Sequence, residues 1–341
     1  MKRTIISLFS AFAIVLMLNA CSTDVDLYAE YKDITVVYGL LDSGADTNYV
    51  KINKAFLGPG NALTIAQVAD SSNYPGKLNA KLVEYRATLG SNNYQKTNEL
   101  PLDTITIHDK EPGIFYAPDQ KVYFTTQPIR KNNEQYKYRY ELQVEKGDSI
   151  ISAITDIVGG KSFVLPQSAM NFGSTASNGV VNWTPCPYAS VYEVVFKFHF
   201  IETTSPVDSV ERIMTWALGS HPESTLHEEN GTFSINFNPS LFFYNLALFL
   251  GNDTLNTNVE RLIYEPSLEV CLAAGGDELY NFITVNGPSN SIVQTLPEYT
   301  NVKGGYGVLS SRLMLRKRMR LAGNTIPELT NHDYWNFKQI K

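Results

Sequence analysis

The segment 136–144 constrains the fold most strongly, because its side chains alternate in type along its whole length. Large apolar side chains fall on one face of this segment, at Tyr136, Tyr138, Tyr140, Leu142 and Val144. Charged and amide side chains fall on the other face, and a two-residue period of this kind predicts a strand with one buried face. Other short runs, separated by turn-forming residues, predict further strands at residues 34–41, 48–55, 80–85, 122–124, 149–157 and 267–274. The sequence therefore predicts a mainly β fold.

Residues 180–183 and 191–200 predict two more strands, separated by a proline-containing turn. Trp183 ends the first of these segments, and Tyr192 stands near the start of the second. A tryptophan followed by a tyrosine-led strand resembles fibronectin type III domains and related immunoglobulin-like sandwiches. That resemblance implies a structural role for this stretch.

Gly159-Gly160-Lys161 predicts a linker that divides the chain into two domains. We expect each domain to be a β-sandwich of the immunoglobulin or fibronectin III type, over residues 33–158 and 163–325, followed by a tail over 326–341. Asn238-Pro239-Ser240 precedes the apolar run Leu241–Leu250. This pattern predicts a helical insertion in the second sandwich.

The first twenty residues have the features of an export signal. Lys2 and Arg3 precede an apolar run, 5–18, that is too short for a comfortable membrane span. Leu18-Asn19-Ala20-Cys21 resembles the signal of bacterial lipoproteins. The resemblance implies cleavage after residue 20 and lipidation of the thiol and the new amino group of Cys21.

The lipidation signal makes membrane lipid the first expected partner, through Cys21. Several acyl chains, at about 0.8 kcal/mol per buried methylene, would make this anchoring effectively permanent. Residues 1–20 are thus predicted to be a signal peptide and residues 21–32 a lipidated tether. Ser22 after the cysteine favours the outer membrane, and the sequence leaves open whether the protein faces the periplasm or the cell surface.

Charge excludes one class of partner. The chain has 34 acidic residues against 28 lysines and arginines, a net charge of −6 and a pI of about 5.5. Because no basic field covers the chain, we predict no nucleic-acid partner. No cofactor is predicted either, since Gly304-Gly305-Tyr306-Gly307 lacks the following lysine of a phosphate loop. We interpret that stretch as a tight turn or bulge that needs positive φ.

No catalytic site is predicted. Cys186 lies in a proline-flanked turn without the context that lowers a thiol pKa, and His199 lies thirteen residues further along a strand. The sequence leaves open whether Cys186 pairs with Cys271. His221 and His227 stand among carboxylates at a spacing that matches no zinc motif, so no metal site is predicted.

Two segments are candidate partner contacts. The irregular stretch 57–74 carries Leu57, Leu63 and Ile65 in a Gly/Pro-rich setting, typical of an adaptable apolar contact. The alternative is that this stretch folds back on its own domain. The basic run near the C-terminus places Arg316, Arg318 and Arg320 on one face of a predicted strand. These arginines either contact an acidic partner or lipid phosphate, or protect a solvated strand edge.

Two motifs in the last third carry a family resemblance. Glu278-Leu279-Tyr280-Asn281-Phe282-Ile283 and the later stretch 299–308, with its Thr-Asn and Gly-Gly-x-Gly, resemble the closing pattern of a Bacteroidota outer-membrane lipoprotein family, domain of unknown function 4249. The match also includes Pro112-Gly113-Ile114-Phe115-Tyr116. Members of that family are often associated with TonB-dependent transporters and have no established catalytic residues.

The resemblance and the lipidation signal together predict a function without catalysis. We expect a lipid-anchored accessory or ligand-binding subunit near a TonB-dependent β-barrel transporter. A cell-surface adhesion or envelope-assembly lipoprotein is the alternative. A hydrolase is the third possibility, because paired carboxylates leave no local sequence signature.

Overall fold

The computed structural model describes residues 33–55, 61–160, 162–205, 208–251, 259–287 and 298–340. The predicted signal peptide, the tether and Cys21 lie outside these described residues. The prediction of a mainly β fold is confirmed. Within the described ranges, no helix is both long enough and apolar enough to cross a membrane.

Strands in the first half of the described chain are β1 (Ile34–Asp42), β2 (Asn48–Ala55), β3 (Asn79–Thr88), β4 (Gln95–Pro101), β5 (Asp103–Ile107), β6 (Gln120–Thr125), β7 (Tyr136–Lys146) and β8 (Ser149–Asp156). Strands in the second half are β9 (Phe163–Leu165), β10 (Ala169–Met170), β11 (Gly179–Trp183), β12 (Ala189–Ser205), β13 (Asp208–Pro222), β14 (His227–Glu229), β15 (Thr232–Phe237), β16 (Glu260–Ile263), β17 (Leu268–Gly276), β18 (Val302–Lys303), β19 (Gly305–Leu321) and β20 (Phe337–Gln339).

The helices are α1 (Ala62–Ala66), α2 (Ala69–Ser72), α3 (Leu241–Leu250), α4 (Asp277–Asn286) and α5 (Thr325–Thr330), with a 3-10 turn at Glu223–Thr225. The helix predicted at Leu241–Leu250 is therefore confirmed with the same bounds. Its buried side chains, Phe242, Leu246 and Leu250, pack into the aromatic core described below.

The strands form three sheets. Eleven strands make one large sheet in the order β20-β16-β12-β17-β19-β1-β2-β6-β5, with β10 attached to β19 and β13 attached to β12. A five-stranded sheet has the order β18-β8-β7-β3-β4, and a four-stranded sheet has the order β14-β15-β11-β9. Each small sheet covers a different part of the large sheet, so two hydrophobic cores result.

The first core lies between the five-stranded sheet and strands β1 and β2. Val37 and Val50 from the large sheet join Tyr140 and Leu142 from β7 in one buried cluster. These two β7 residues belong to the apolar face predicted from the alternating pattern, and both are fully buried. The same face of β7 carries half-buried Tyr136 at its start.

The second core is strongly aromatic. Phe196 and Phe198 of β12 lie in it together with Trp183 of β11, which is fully buried, as its structural interpretation requires. Phe172 stacks on Phe242 of α3 with ring centroids 4.5 Å apart. Aromatic side chains bury large areas, and parallel or edge-on ring pairs add to that stabilisation.

Strand β19 contributes side chains to both hydrophobic cores. Residues 305–312 pair in parallel with β1, and residues 312–319 pair antiparallel with β17. Val302 and Leu309 are also buried in the first core. The strand pairing therefore crosses the boundary predicted between residues 33–158 and 163–325, because parallel pairing of distant strands leaves no local signal in the sequence.

The last residues differ from the predicted tail. Residues 326–341 include most of α5 and the strand β20, which pairs in parallel with β16. Trp335 and Phe337 are buried in the second core, where Phe337 meets Phe200 with centroids 5.2 Å apart. Burial of these two aromatic side chains explains why the segment packs onto the core instead of extending into solvent.

Gly307→Ala tests the pairing of β19 with β1. Gly307 has φ +108, and a Cβ at this position would overlap the carbonyl oxygen of Val37. Because positive φ alone costs about 1–3 kcal/mol for other residues, we expect Gly307→Ala to lower the free energy of unfolding by more than about 2 kcal/mol in urea. Gly113→Ala, where a Cβ meets nothing within 4 Å, is the control. Equal stability of the two variants would contradict this close approach of the strands.

Candidate functional site

An open cleft lies where the outer face of the large sheet meets helix α4. Its volume is about 460 Å³. The walls are outward-facing side chains of β1 and β2 on one side and of α4 and β19 on the other, including Tyr38, Tyr49, Phe282, Ile283, Val308 and Arg312. Residues from both ends of the chain thus form one concave surface, which is the usual form of a binding site.

The cleft walls expose large apolar side chains. Tyr38 is 46% exposed, Tyr49 is 49% exposed and Ile283 is 50% exposed. Tyr38 meets Phe282 edge-on, with ring centroids 5.9 Å apart, so the strand and the helix support each other's aromatic side chain. Contiguous exposed apolar surface on rigid elements is typical of contact sites for ligands or proteins.

One end of the cleft is polar. Asp42 has a side chain that is 9% exposed, and one of its carboxylate oxygens lies 3.5 Å from Nε of Arg312. The other oxygen accepts a hydrogen bond from the backbone of Gly44 at 2.8 Å. Asn48 closes the same turn through hydrogen bonds with the Asp42 backbone. Because a guanidinium has five N–H donors, half-exposed Arg312 retains donors for a bound group.

Helix α4 is held against β8 and β19 by the half-buried carboxyl of Glu278. Oε2 of Glu278 accepts hydrogen bonds from Oγ1 of Thr155 at 3.0 Å and from Oγ of Ser310 at 3.1 Å. Ser310 also accepts from the backbone N–H of Leu279 at 3.2 Å. Desolvation is the largest effect on Glu278 and raises its pKa above the usual value, although the two hydroxyls oppose that shift.

The segment 299–308 supports the opposite wall of the cleft. Asn301 donates to the carbonyls of Ile154 and Leu309 and accepts from the Leu309 backbone N–H at 3.0 Å. Gly304 and Gly307 both have positive φ, so the predicted tight turn is confirmed. Asn301 and the two glycines therefore position this wall of the cleft through hydrogen bonds and backbone geometry.

The predicted apolar contact is only partly described. Leu57 lies outside the described residues. Leu63, on α1, is 62% exposed, and Ile65 is half-buried. The segment is docked on its own part of the molecule, because Nε2 of Gln67 donates to the carbonyl of Gly113 at 2.8 Å.

Two exposed side chains extend the apolar surface beside α1. Ile114 is 61% exposed and Phe115 is 52% exposed. The loop that carries them is tied to α1, since the backbone N–H of Tyr116 donates to the carbonyl of Ala66 at 2.9 Å. Ala66 is buried, whereas Leu63, Ile114 and Phe115 face solvent, so the contact of this segment with a partner stays a prediction.

The three predicted arginines share an exposed face of β19. Arg316, Arg318 and Arg320 are exposed and alternate with Lys317 and buried Met319. In the described ranges, residues 313–319 of β19 pair only with β17, and β10 pairs with Arg320 and Leu321, so both the partner contact and the charge-protected strand edge stay predictions. Arg318 pairs with Glu269 at 3.2 Å, and that glutamate is mostly buried. Met319, which lies between Arg318 and Arg320, is buried in the second core.

The cysteines and His199 do not form a reactive pair. Both Cys186 and Cys271 are buried free thiols. Burial raises the pKa of Cys186 to about 12 and that of Cys271 to about 11, so both are protonated at neutral pH. His199 instead pairs through Nδ1 with Glu211 at 3.0 Å.

The other sequence features acquire ordinary partners. Nε2 of His221 lies 3.3 Å from the backbone carbonyl of Leu218, and His227 starts the short strand β14. Within the part of the chain that the structure describes, no three His, Cys, Asp or Glu side chains come together as a set that could hold a metal ion.

Sequence patterns alone did not identify the cleft. Tyr38 stands within an apolar run, and the run gives no sign that this side chain faces outward beside a helix from the other end of the chain. The only available signal was Glu278-Leu279-Tyr280-Asn281-Phe282-Ile283, which lines the cleft through Leu279, Phe282 and Ile283.

Comparison with known proteins gives no family assignment. No protein-family model matches the chain, and no curated protein sequence matches it significantly.

Glu278→Gln tests the half-buried carboxyl that holds α4 in place. A carboxyl whose pKa is raised on folding stabilises the fold below its unfolded pKa of about 4.3, and this contribution is lost as the pH rises through the folded pKa. Glu278 has a raised pKa because of burial. The native protein therefore loses stability as Glu278 becomes charged, whereas the amide of Glu278→Gln stays neutral. We expect the melting temperature of Glu278→Gln, relative to the native protein, to increase between about pH 4 and pH 7.5.

Thermal unfolding of both proteins across this pH range measures the effect. Glu111→Gln, at an exposed position, is the matched control. A difference between Glu278→Gln and the native protein that stays constant with pH would show that Glu278 does not titrate in this range.

Proposed function

We propose that the protein is a lipid-anchored outer-membrane protein that acts without catalysis, as an accessory or ligand-binding subunit of a TonB-dependent transport system. Its anchor would be Cys21, in the sequence Leu18-Asn19-Ala20-Cys21. The resemblance of the segments 278–283 and 299–308 to a Bacteroidota lipoprotein family supports the association with a β-barrel transporter. On this proposal Cys21 supplies membrane attachment, and the described residues supply recognition.

The observation that carries the proposal is the aromatic cleft. Tyr38 and Tyr49 are each about half exposed on well-packed strands, and Ile283 is half exposed on helix α4. Aromatic side chains held by a rigid scaffold lose little conformational entropy on binding and are common at the centres of interfaces. Such a surface suits the binding of an apolar segment of a partner or ligand.

The polar end of the cleft would orient a bound segment. An apolar segment bound over Tyr38 and Phe282 would meet the exposed part of Arg312 at one end. Asp42 already compensates the positive charge of this guanidinium, so Arg312 offers hydrogen bonds to a bound group without a strong net field. We infer that shape and apolar contact, more than charge, select what enters this cleft.

The buried state of the nucleophile candidates supports a function without catalysis. Both thiols have raised pKa values, and their side chains are screened from solvent. Ser267, which pairs with His199 through its backbone carbonyl, is fully buried. A substrate would have no access to these groups without local opening of the sheet.

Cys21→Ala tests the anchor. Because the anchor would consist only of the acyl chains on this residue, we expect the variant to move from the membrane to the soluble fraction and to lose labelling by a fatty acid. Cys271→Ala, which removes a buried thiol far from the signal, is the control. If Cys21→Ala stays in the membrane fraction after a high-salt wash, the proposed lipid anchor is wrong.

Tyr38→Ala combined with Phe282→Ala tests the cleft as the contact with the transporter. Loss of two partly buried aromatic contacts should weaken co-purification of a β-barrel partner by about tenfold or more, since interface aromatics contribute about 2 kcal/mol or more each. Tyr244→Ala removes an aromatic side chain that is 61% exposed on α3 and serves as the control. Equal recovery of the barrel with both variants would place the contact elsewhere.

A further inference from the structure

A second concave surface lies beside the second core. It has a volume of about 670 Å³ and is formed by the loop after β10, the start of α3 and the segment that follows α5. The side chains that matter below are Phe243, Glu328, His332, Asp333, Tyr334 and Trp335. None of the residues that line this pocket lines the aromatic cleft, so the two sites are separate.

A stack of three rings forms one wall of the pocket. His332 lies on Trp335 with centroids 3.7 Å apart and planes 5° apart. Trp335 in turn lies parallel to Phe243 of α3, with centroids 6.1 Å apart and planes 9° apart. Because Trp335 is only 5% exposed, the stack is fixed to the core, and His332 and exposed Tyr334 present aromatic surface to the pocket.

Glu328 supplies a fixed negative charge. Its Oε1 accepts hydrogen bonds from the backbone N–H of Ser174 at 2.7 Å, from Oγ of Ser174 at 2.6 Å and from Nδ2 of Asn324 at 2.6 Å. All three donors are neutral, so they orient the carboxylate without cancelling its charge.

Asp333 supplies a second negative charge at the exposed rim. In the described ranges, no hydrogen bond or ion pair engages the Asp333 side chain, and no lysine or arginine nitrogen lies within 4.0 Å of the carboxylate of Asp333 or Glu328. The residues that line the pocket also include no lysine or arginine. Two unpaired carboxylates in one concavity create a local negative field that its low-dielectric walls concentrate.

We propose that this pocket binds an organic cation, that is, an ammonium or guanidinium group on an apolar body. Aromatic faces attract cations electrostatically, and the attraction increases when the cation is partly desolvated. The stacked rings supply the aromatic surface that such a site needs, and the two carboxylates supply the negative charge. A neutral sugar could also use aromatic surface and acceptor oxygens, but it would gain nothing from two uncompensated charges.

Titration calorimetry on the full-length, detergent-solubilised protein tests the proposal with paired probes. Choline is compared with its neutral isostere 3,3-dimethylbutan-1-ol, and Nα-acetylarginine amide is compared with neutral Nα-acetylcitrulline amide. We expect each cation to bind about tenfold or more tightly than its neutral partner, with a dissociation constant of about 1 mM or below. Stronger binding of choline indicates a free quaternary amine as the natural ligand, and stronger binding of Nα-acetylarginine amide indicates a basic side chain of a peptide.

Charge-neutralising variants locate the binding. Glu328→Gln keeps an oxygen that can accept from Ser174 and Asn324, and Asp333→Asn changes a side chain without hydrogen bonds, so both should retain the native melting temperature. Each variant should weaken cation binding by about tenfold, and the affinity of the native protein should fall between about 20 and 500 mM salt. Asp148→Asn, at an exposed hairpin turn, is the control and should bind as the native protein does.

Three results would overturn the proposal. The first is equal affinity for a cation and its neutral isostere. The second is unchanged cation binding by Glu328→Gln and Asp333→Asn when both are folded. The third is the absence of measurable heat with either cation at about 10 mM, a concentration at which a millimolar site is mostly filled. None of these results bears on the aromatic cleft, because the probes contact different residues.

Discussion

The parallel pairing of β1 with β19 is the interaction on which the rest of the structure depends. Its register runs from Thr35 opposite Gly305 to Asp42 opposite Arg312, and it joins strands from nearly opposite ends of the chain. Closing so long a loop costs conformational entropy that only extensive burial offsets. Strand β19 provides that burial twice, because Leu309 enters the first core while Leu313 and Met319 enter the second. The two cores are therefore distinct clusters that share one strand, and neither is complete without it.

The aromatic cleft depends on the same pairing. Tyr38 stands opposite Val308, so the register that completes the sheet also sets the distance between the tyrosine and the helix that follows β17. Glu278 then links that helix to Thr155 of β8 and to Ser310 of β19. A partner that binds in the cleft contacts both parts of the chain and thus stabilises the assembled form, as any ligand specific for the native state does.

Local patterns in the sequence predicted strands and a helix, but not which of them pack against each other. Alternation in 136–144 correctly identified β7 and its buried face, and the Asn-Pro-Ser stretch correctly marked the start of α3. Lys137 lies on the face predicted to be solvated, yet it is buried, because Asn92 accepts from its ammonium and Tyr94 covers it. The prediction of a tail over residues 326–341 likewise gave no sign that Trp335 is buried in the second core. Whether a face is covered depends on segments distant in sequence, and a two-residue or 3.6-residue period carries no information about them.

The two concave surfaces differ in their charges, which are paired in the cleft and unpaired in the pocket. In the cleft, Asp42 compensates Arg312, so the field is weak and apolar contact dominates. In the pocket beside Trp335, two carboxylates stay uncompensated, and the net charge of −6 on the whole chain adds to their field. Added salt screens the second kind of attraction much more than the first. The two proposed sites are therefore compatible on one scaffold, because neither site needs the residues or the charge of the other.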